Sequence, residues 1–248
     1  MALAEEPKKA LILTGASRGI GHATVKRFSS AGWRVITCSR AAFPEDCPWE
    51  AGPEDHIQVD LADAGNVDEA VTEMKTRLKG YRLAALVNNA GISPKGPDGE
   101  RLGTLNSSLS DWLHVFHVNL FSTLQLASGL RDELVEGSAN IVNVTSIAGG
   151  RVHPFAGAAY ATSKAALAAL TREMASDFGP LGVRVNAIAP GEIDTSILSP
   201  GTEDIVADIP LRRLGLPEEV AKAIYYLCTD QSSYITGAEL HVNGGQHV

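Results

Sequence analysis

The 248 residues carry 21 basic and 29 acidic side chains, a formal charge of -8 with a pI near 5.4; 44% hydrophobic residues and 24 glycines match an ordinary globular composition. The negative balance argues against nucleic acid and anionic membranes as partners, and no apolar run reaches the roughly 18 residues of a membrane span. The opening MALAEEPKKALIL puts acids and a proline where a signal peptide needs an unbroken apolar stretch, so a cytoplasmic protein with a single domain over 1–248 is expected.

Taken in chain order, apolar runs at 10–15, 34–39, 56–60, 83–89, 140–146, 183–190 and 238–243 read as strands. Most are apolar nearly throughout, as strands buried on both faces are. Between them the helical period predicts helices at 20–31, 67–79, 110–136, 160–178 and 217–229. Alternation of this kind specifies an α/β fold: a doubly wound, Rossmann-like parallel sheet of about seven strands with helices on both faces. Ser110 and Asp111 read as the start of the 110–136 helix and Gly137 as its end, while Pro217 with Glu218 and Glu219 opens the last.

Cysteines at 38, 47 and 228 are odd in number and widely spaced, which indicates neither a disulfide framework nor a zinc site. His114 and His117 stand at i, i+3, yet no acid or cysteine completes a ligand set, so no metal is expected.

Loops at the carboxyl ends of the strands are rich in Gly, Asn, Ser and Pro: TGASRGIG, NNAGISPKGPDG, TSIAGG and APGEIDTS. In a doubly wound sheet that edge binds the ligand. Within the first loop, Gly15 allows a tight turn, Gly19 lets backbone approach a phosphate, and Gly21 lets the helix pack on the sheet. Helix N–H groups from about Gly19 onward then face a diphosphate. The second strand ends in CSR, where a carboxylate ordinarily grips an adenosine 2'-hydroxyl. Neutral Ser39 with cationic Arg40 and Arg18 favours a 2'-phosphate, and so NADP over NAD.

Tyr160 and Lys164 fall four apart in YATSK, on one face of a helix, after the strand that ends at Ser146. A free tyrosine, with its pKa near 10, is a poor proton donor or acceptor at neutral pH; a neighbouring ammonium favours the phenolate. Ser146 is placed to hydrogen-bond a substrate oxygen.

With TGASRGIG, Asp60, NNAG, Asn119, Ser146, YATSK, PGEIDT and ITGAELHVNGG in order, the chain resembles a compact short-chain dehydrogenase/reductase over about 9–245. The resemblance implies a catalytic tetrad of Asn119, Ser146, Tyr160 and Lys164. Tyr160 would exchange the proton and Ser146 orient the carbonyl. Lys164 would hold the nicotinamide ribose and lower the tyrosine pKa, and Asn119 would support a water relay. It also implies that Asp60 contacts the adenine, that Asn88 to Gly91 (with Ala90) line the adenosine side, and that Ile193 and Thr195 hold the carboxamide. Ser17, Ile20, Leu61, Pro190 and Gly191 complete the implied cofactor set.

Three features depart from the family pattern. Thirteen residues separate Ser146 from Tyr160, where twelve are usual; the 92–108 segment is long and rich in Gly and Pro, as a mobile flap would be; and Asn243 replaces a frequent Asp. A substrate lid is expected around 195–215. The expected function is NADP-dependent reduction of a ketone or oxidation of a secondary alcohol. The alternatives are a 3-oxoacyl-[acyl-carrier-protein] reductase, an NAD-dependent sugar or steroid dehydrogenase, and a non-catalytic dinucleotide-binding regulator. An acyl carrier would need a basic landing surface, to which Arg131 and Arg172 could contribute among surrounding acids. A small-molecule carbonyl or alcohol partner and a homotetramer or homodimer are the remaining expectations.

Overall fold

The computed structural model describes residues 7–43, 52–195 and 205–248. Seven parallel strands lie in the order β3-β2-β1-β4-β5-β6-β7. They are β1 (Lys8–Thr14), β2 (Arg34–Ser39), β3 (His56–Gln58), β4 (Tyr81–Asn88), β5 (Asn140–Val144), β6 (Arg184–Pro190) and β7 (Glu239–Val242). This is the predicted doubly wound sheet, and its order reverses between β1 and β4, the place where such sheets open a ligand crevice.

Alternation along β1 shows how the sheet makes two cores. Ala10 and Ile12 face one side, with α2 (Ala64–Arg77), α4 (Ser122–Gly129) and α5 (Arg131–Glu136); Leu11 and Leu13 face the other, with α1 (Gly19–Ser29) and α7 (Pro217–Leu227). All four side chains are fully buried, and each of the larger three contributes roughly 1.5–3 kcal/mol by leaving water. On the second side Phe28 packs edge-on against Trp33 and Tyr225, with centroids 5.1 Å away in each case.

The helix predicted over 110–136 is instead segmented. It comprises α3 (Leu109–Phe116), a π turn (His117–Phe121), α4 and α5, with Leu130 out of helical geometry between the last two. Its start also differs from the Ser110–Asp111 expectation: Ser108 is the N-cap. Its hydroxyl accepts from the Asp111 amide (3.1 Å), while Asp111 accepts in return from the Ser108 amide (2.7 Å). The apolar period runs across the breaks, so it could not show them.

Helix α6 (Ala158–Phe178) extends unbroken for 21 residues beneath β5 and β6. The long 92–108 segment, expected as a mobile flap, is fastened to the loop before α6. Lys95 Nζ donates to the Phe155 carbonyl (2.5 Å), Arg101 Nε to Ala156 (2.6 Å), and the Ala158 amide to Leu102 (2.8 Å). The lid expected at 195–215 falls in part, at 196–204, outside the described residues. Among described residues no helix is long and apolar enough to cross a membrane, and no group of three or more His, Cys, Asp or Glu could hold a metal.

Candidate active site

A cleft of about 810 Å³ runs along the carboxyl edge of the sheet, from the β1–α1 loop across β4 and β5 to the loop after β6. Its size falls in the roughly 300–1,000 Å³ range of cofactor and ligand pockets.

At one end, the glycine loop is shaped by close approach. Gly15 has φ +68°, and a Cβ there would meet Ala90 Cα at 2.8 Å. A Cβ on Gly21 would lie 2.1 Å from the Gly15 carbonyl, which no side chain can occupy. Thr14 Oγ1 accepts from the amides of both Asn89 and Ala90 (3.1 Å each), locking this turn to the end of β4. Arg18 is the N-cap of α1, and it lines the cleft together with Ser39, Arg40 and Asp60. Both arginines are exposed, and neither guanidinium has a side-chain partner among the described residues.

At the other end, Ser146 caps a 3-10 turn (Ile147–Gly149), accepting from the Ala148 amide at 3.2 Å. It lines the same cleft wall as Tyr160. One helical turn on, Lys164 is buried, with Nζ donating to the Val144 carbonyl (2.7 Å) and lying 5.7 Å from the Tyr160 ring centroid. Desolvation pulls the ammonium down from 10.5 to about 8. Space for it exists because residue 91 is glycine: a Cβ there would meet Nζ at 3.1 Å.

The resemblance implied that Lys164 lowers the Tyr160 pKa; in this cleft that pKa is raised. Burial is the largest cause and the Glu192 charge adds to it, while the Ser146 hydroxyl acts in the opposite direction. The Lys164 ammonium is turned to the Val144 carbonyl, so its field on the phenol does not outweigh desolvation. Burial in this cleft therefore favours the protonated phenol of Tyr160.

Of the residues singled out from sequence, the cleft gathers Gly15, Ser17, Arg18, Gly19, Ile20, Gly21, Ser39, Arg40, Asp60, Leu61, Ala90, Gly91, Ser146, Tyr160, Lys164, Pro190, Gly191, Ile193 and Thr195. Two depart. Asn88 turns away from the cleft: it pairs in register with Asn143 and donates to its Oδ1 (2.9 Å), while Asn143 donates to Thr171 (3.0 Å). Side chains alternate along a strand, so it is Asn89 that faces the glycine loop, donating to the Thr14 and Gly15 carbonyls at 3.1 and 2.9 Å.

Asn119 is buried behind the cleft wall, in the π turn. Its Oδ1 accepts from the Ile92 amide (2.8 Å), and its Nδ2 donates to the Ile92 carbonyl and the Ser163 hydroxyl (3.0 Å each). Its side chain braces the loop after β4 and has no donor left for a relay.

Sequence reasoning passed over His153 and Glu192, both of which line the cleft. The signals were an acid inside the otherwise neutral PGEI stretch and the extra residue before Tyr160.

The family profile described as enoyl-(acyl carrier protein) reductase matches residues 15–247. Protein FixR of Bradyrhizobium diazoefficiens is 63% identical over 245 residues, covering 98% of this chain and 88% of its own. A 3-oxoacyl-[acyl-carrier-protein] reductase of Aquifex aeolicus is 36% identical, with 96% of each chain covered. A crystal structure of a Brucella ovis short-chain oxidoreductase with partially ordered NAD superposes at a TM-score of 0.84. It is 59% identical, and the match covers 95% of this chain and 100% of that one.

The chain belongs to the short-chain dehydrogenase/reductase family. It is an NAD(P)-dependent oxidoreductase with a Rossmann-like sheet. Its residues fit a dinucleotide: side-chain-free backbone at Gly15, Gly19 and Gly21, exposed cations beside that loop, and a buried ammonium at the far end.

Proposed function

We propose that this protein reduces a ketone, or oxidises the matching secondary alcohol, with NADP as its hydride carrier and Tyr160 as acid or base. The observation that carries the reading is that Ser146, Tyr160 and Lys164 line one end of a single cleft whose opposite end carries Arg18 and Arg40. The dinucleotide, when bound, supplies or accepts a hydride.

Tyr160, kept protonated by burial, donates its proton to the carbonyl oxygen during reduction and recovers it from solvent afterwards. Ser146 donates to the same oxygen and fixes its direction. Lys164 presents a buried ammonium beside the phenol and is in reach of hydroxyl groups entering the cleft from the β5 side. Asn119, through its three hydrogen bonds to Ile92 and Ser163, holds the wall against which these groups are set. Arg18 and Arg40 would bind the 2'-phosphate by charge-assisted hydrogen bonds, each worth roughly 1.5–3 kcal/mol.

Fluorescence titration with NADPH and NADH, followed by a ketone panel, tests the assignment. Tight NADPH binding with turnover supports it, and a preference for NADH would overturn the phosphate role of the arginines.

The Aquifex relative supports a second reading, reduction of 3-oxoacyl groups on an acyl carrier protein. Against it, the Arg131 guanidinium is already engaged by Asp132 at 3.1 Å. Exposed Leu109, Leu113, Phe121 and Leu124 on α3, the π turn and α4 support assembly into a homo-oligomer.

A further inference from the structure

Glu192 and His153 form a second polar device in the cleft, one that proton transfer through Tyr160 does not use. Glu192 stands just beyond β6, and His153 in the long loop before α6. Their side chains are only 10% and 11% accessible, and His153 Nε2 lies 2.5 Å from Glu192 Oε1. The amides of Phe155 and Ala156 both donate to His153 Nδ1, at 3.3 Å each. Nδ1 therefore offers its lone pair, the proton sits on Nε2, and Nε2 donates to the carboxylate.

Both residues are held from behind. The Glu192 amide donates to Gln246 Oε1 (3.0 Å), and its carbonyl accepts from the Gly215 amide (2.9 Å). The loop carrying His153 is pinned in turn by Lys95 and Arg101.

Glu192 Oε2 makes no hydrogen bond to a described residue, while Glu192 lines the cleft beside Tyr160 and Ser146. Its charge reaches the Tyr160 phenol. Lys95, a cation on the same wall, spends a donor on the Phe155 carbonyl. Beside the acid a substrate therefore meets two opposite charges: the Lys164 ammonium, already donating to the Val144 carbonyl, and the Glu192 carboxylate, with one acceptor oxygen free.

We propose that Glu192, oriented by His153, determines substrate specificity: its free oxygen accepts a hydrogen bond from a hydroxyl or ammonium group near the reacting carbonyl, and its charge excludes substrates with a carboxylate there. The inference rests on the reading of this cleft as a ketone reductase site. A carboxylate brought beside Glu192 would meet like charge in a partly dry cleft, whereas a donor would complete the free acceptor.

The test is a set of ketones of several carbon skeletons, each as the unsubstituted, hydroxy-, amino- and carboxylate-bearing form. Initial rates are measured with both NADPH and NADH supplied. The wild type should favour the hydroxy or amino form over the carboxylate by about tenfold or more in kcat/KM, the scale of one such polar discrimination. Glu192→Gln keeps an oxygen for His153, so its melting temperature should match the wild type, and its preference should contract by a similar factor, mainly through KM. A larger contraction for the amino form supports recognition of an ammonium, and one for the hydroxy form recognition of a hydroxyl. Turnover with a preference that does not move in Glu192→Gln would overturn the specificity assignment alone. No turnover of any ketone by the wild type would overturn the reductase reading and this inference with it.

Discussion

At the glycine-loop end of the cleft Arg18 and Arg40 stand exposed without side-chain partners among the described residues. At the tyrosine end the Tyr160 phenol is desolvated, and Lys164 and His153 are already bonded to Val144 and Glu192. An exposed guanidinium costs little to keep in water and gains its partner only when an anion arrives. A buried ammonium or phenol instead carries its desolvation cost in the folded protein at all times, and folding elsewhere must offset it. The contrast separates binding, which the open end can supply on demand, from chemistry, for which donors have to be aimed beforehand.

The largest expected effect falls at the preset end. Tyr160→Phe should lower kcat for ketone reduction by about 10²–10⁴-fold, the usual worth of a positioned acid, while fluorescence titration shows dinucleotide binding retained. Equal loss of both would break the division between the two ends.

Lys164 comes next. Its folded pKa of about 8 lies below the ordinary 10.5, so between these values the unfolded chain binds a proton that the folded one has released. Stability should therefore rise with pH through that window, by up to about 3.5 kcal/mol from two and a half pH units at roughly 1.4 kcal/mol each. Urea denaturation of wild type and Lys164→Met from pH 7 to 10.5 checks this. The variant should lack the rise, and parallel curves would show that the ammonium is not desolvated.

At the open end, Arg40→Asp should weaken NADPH binding by about tenfold to a hundredfold, matching the loss of one charge-assisted bond, and leave the melting temperature unchanged. Unchanged NADPH affinity would remove Arg40 from the phosphate site.

The smallest effect sharpens the contrast within the preset end. Glu192 raises the Tyr160 pKa, so Glu192→Gln should move the alkaline limb of the reduction pH profile to lower pH. A limb that stays in place would show that the Glu192 charge does not reach the phenol during catalysis.

Much of the site was legible because its parts are local. The glycine spacing, the Tyr160–Lys164 pair one helical turn apart and the Ser146 strand end all lie within short segments whose periods fix their directions. Asn88 and Asn89 show the limit. Adjacent residues of like chemistry face opposite sides of β4, and which of them meets the ligand depends on where the strand ends. The π turn at Asn119 was hidden for a related reason: a shift of one residue in helical register leaves the apolar pattern almost unchanged.

The sequence by itself determined the parallel sheet, the two helical layers, the dinucleotide edge and the identity of Ser146, Tyr160 and Lys164, because hydrophobic period and turn chemistry act over a few residues. Only the tertiary structure decided that Lys164 is aimed at Val144, that the Tyr160 pKa is raised and that His153 meets Glu192. Those outcomes depend on desolvation and on contacts between segments 20 to 39 residues apart, and neither can be read from local composition.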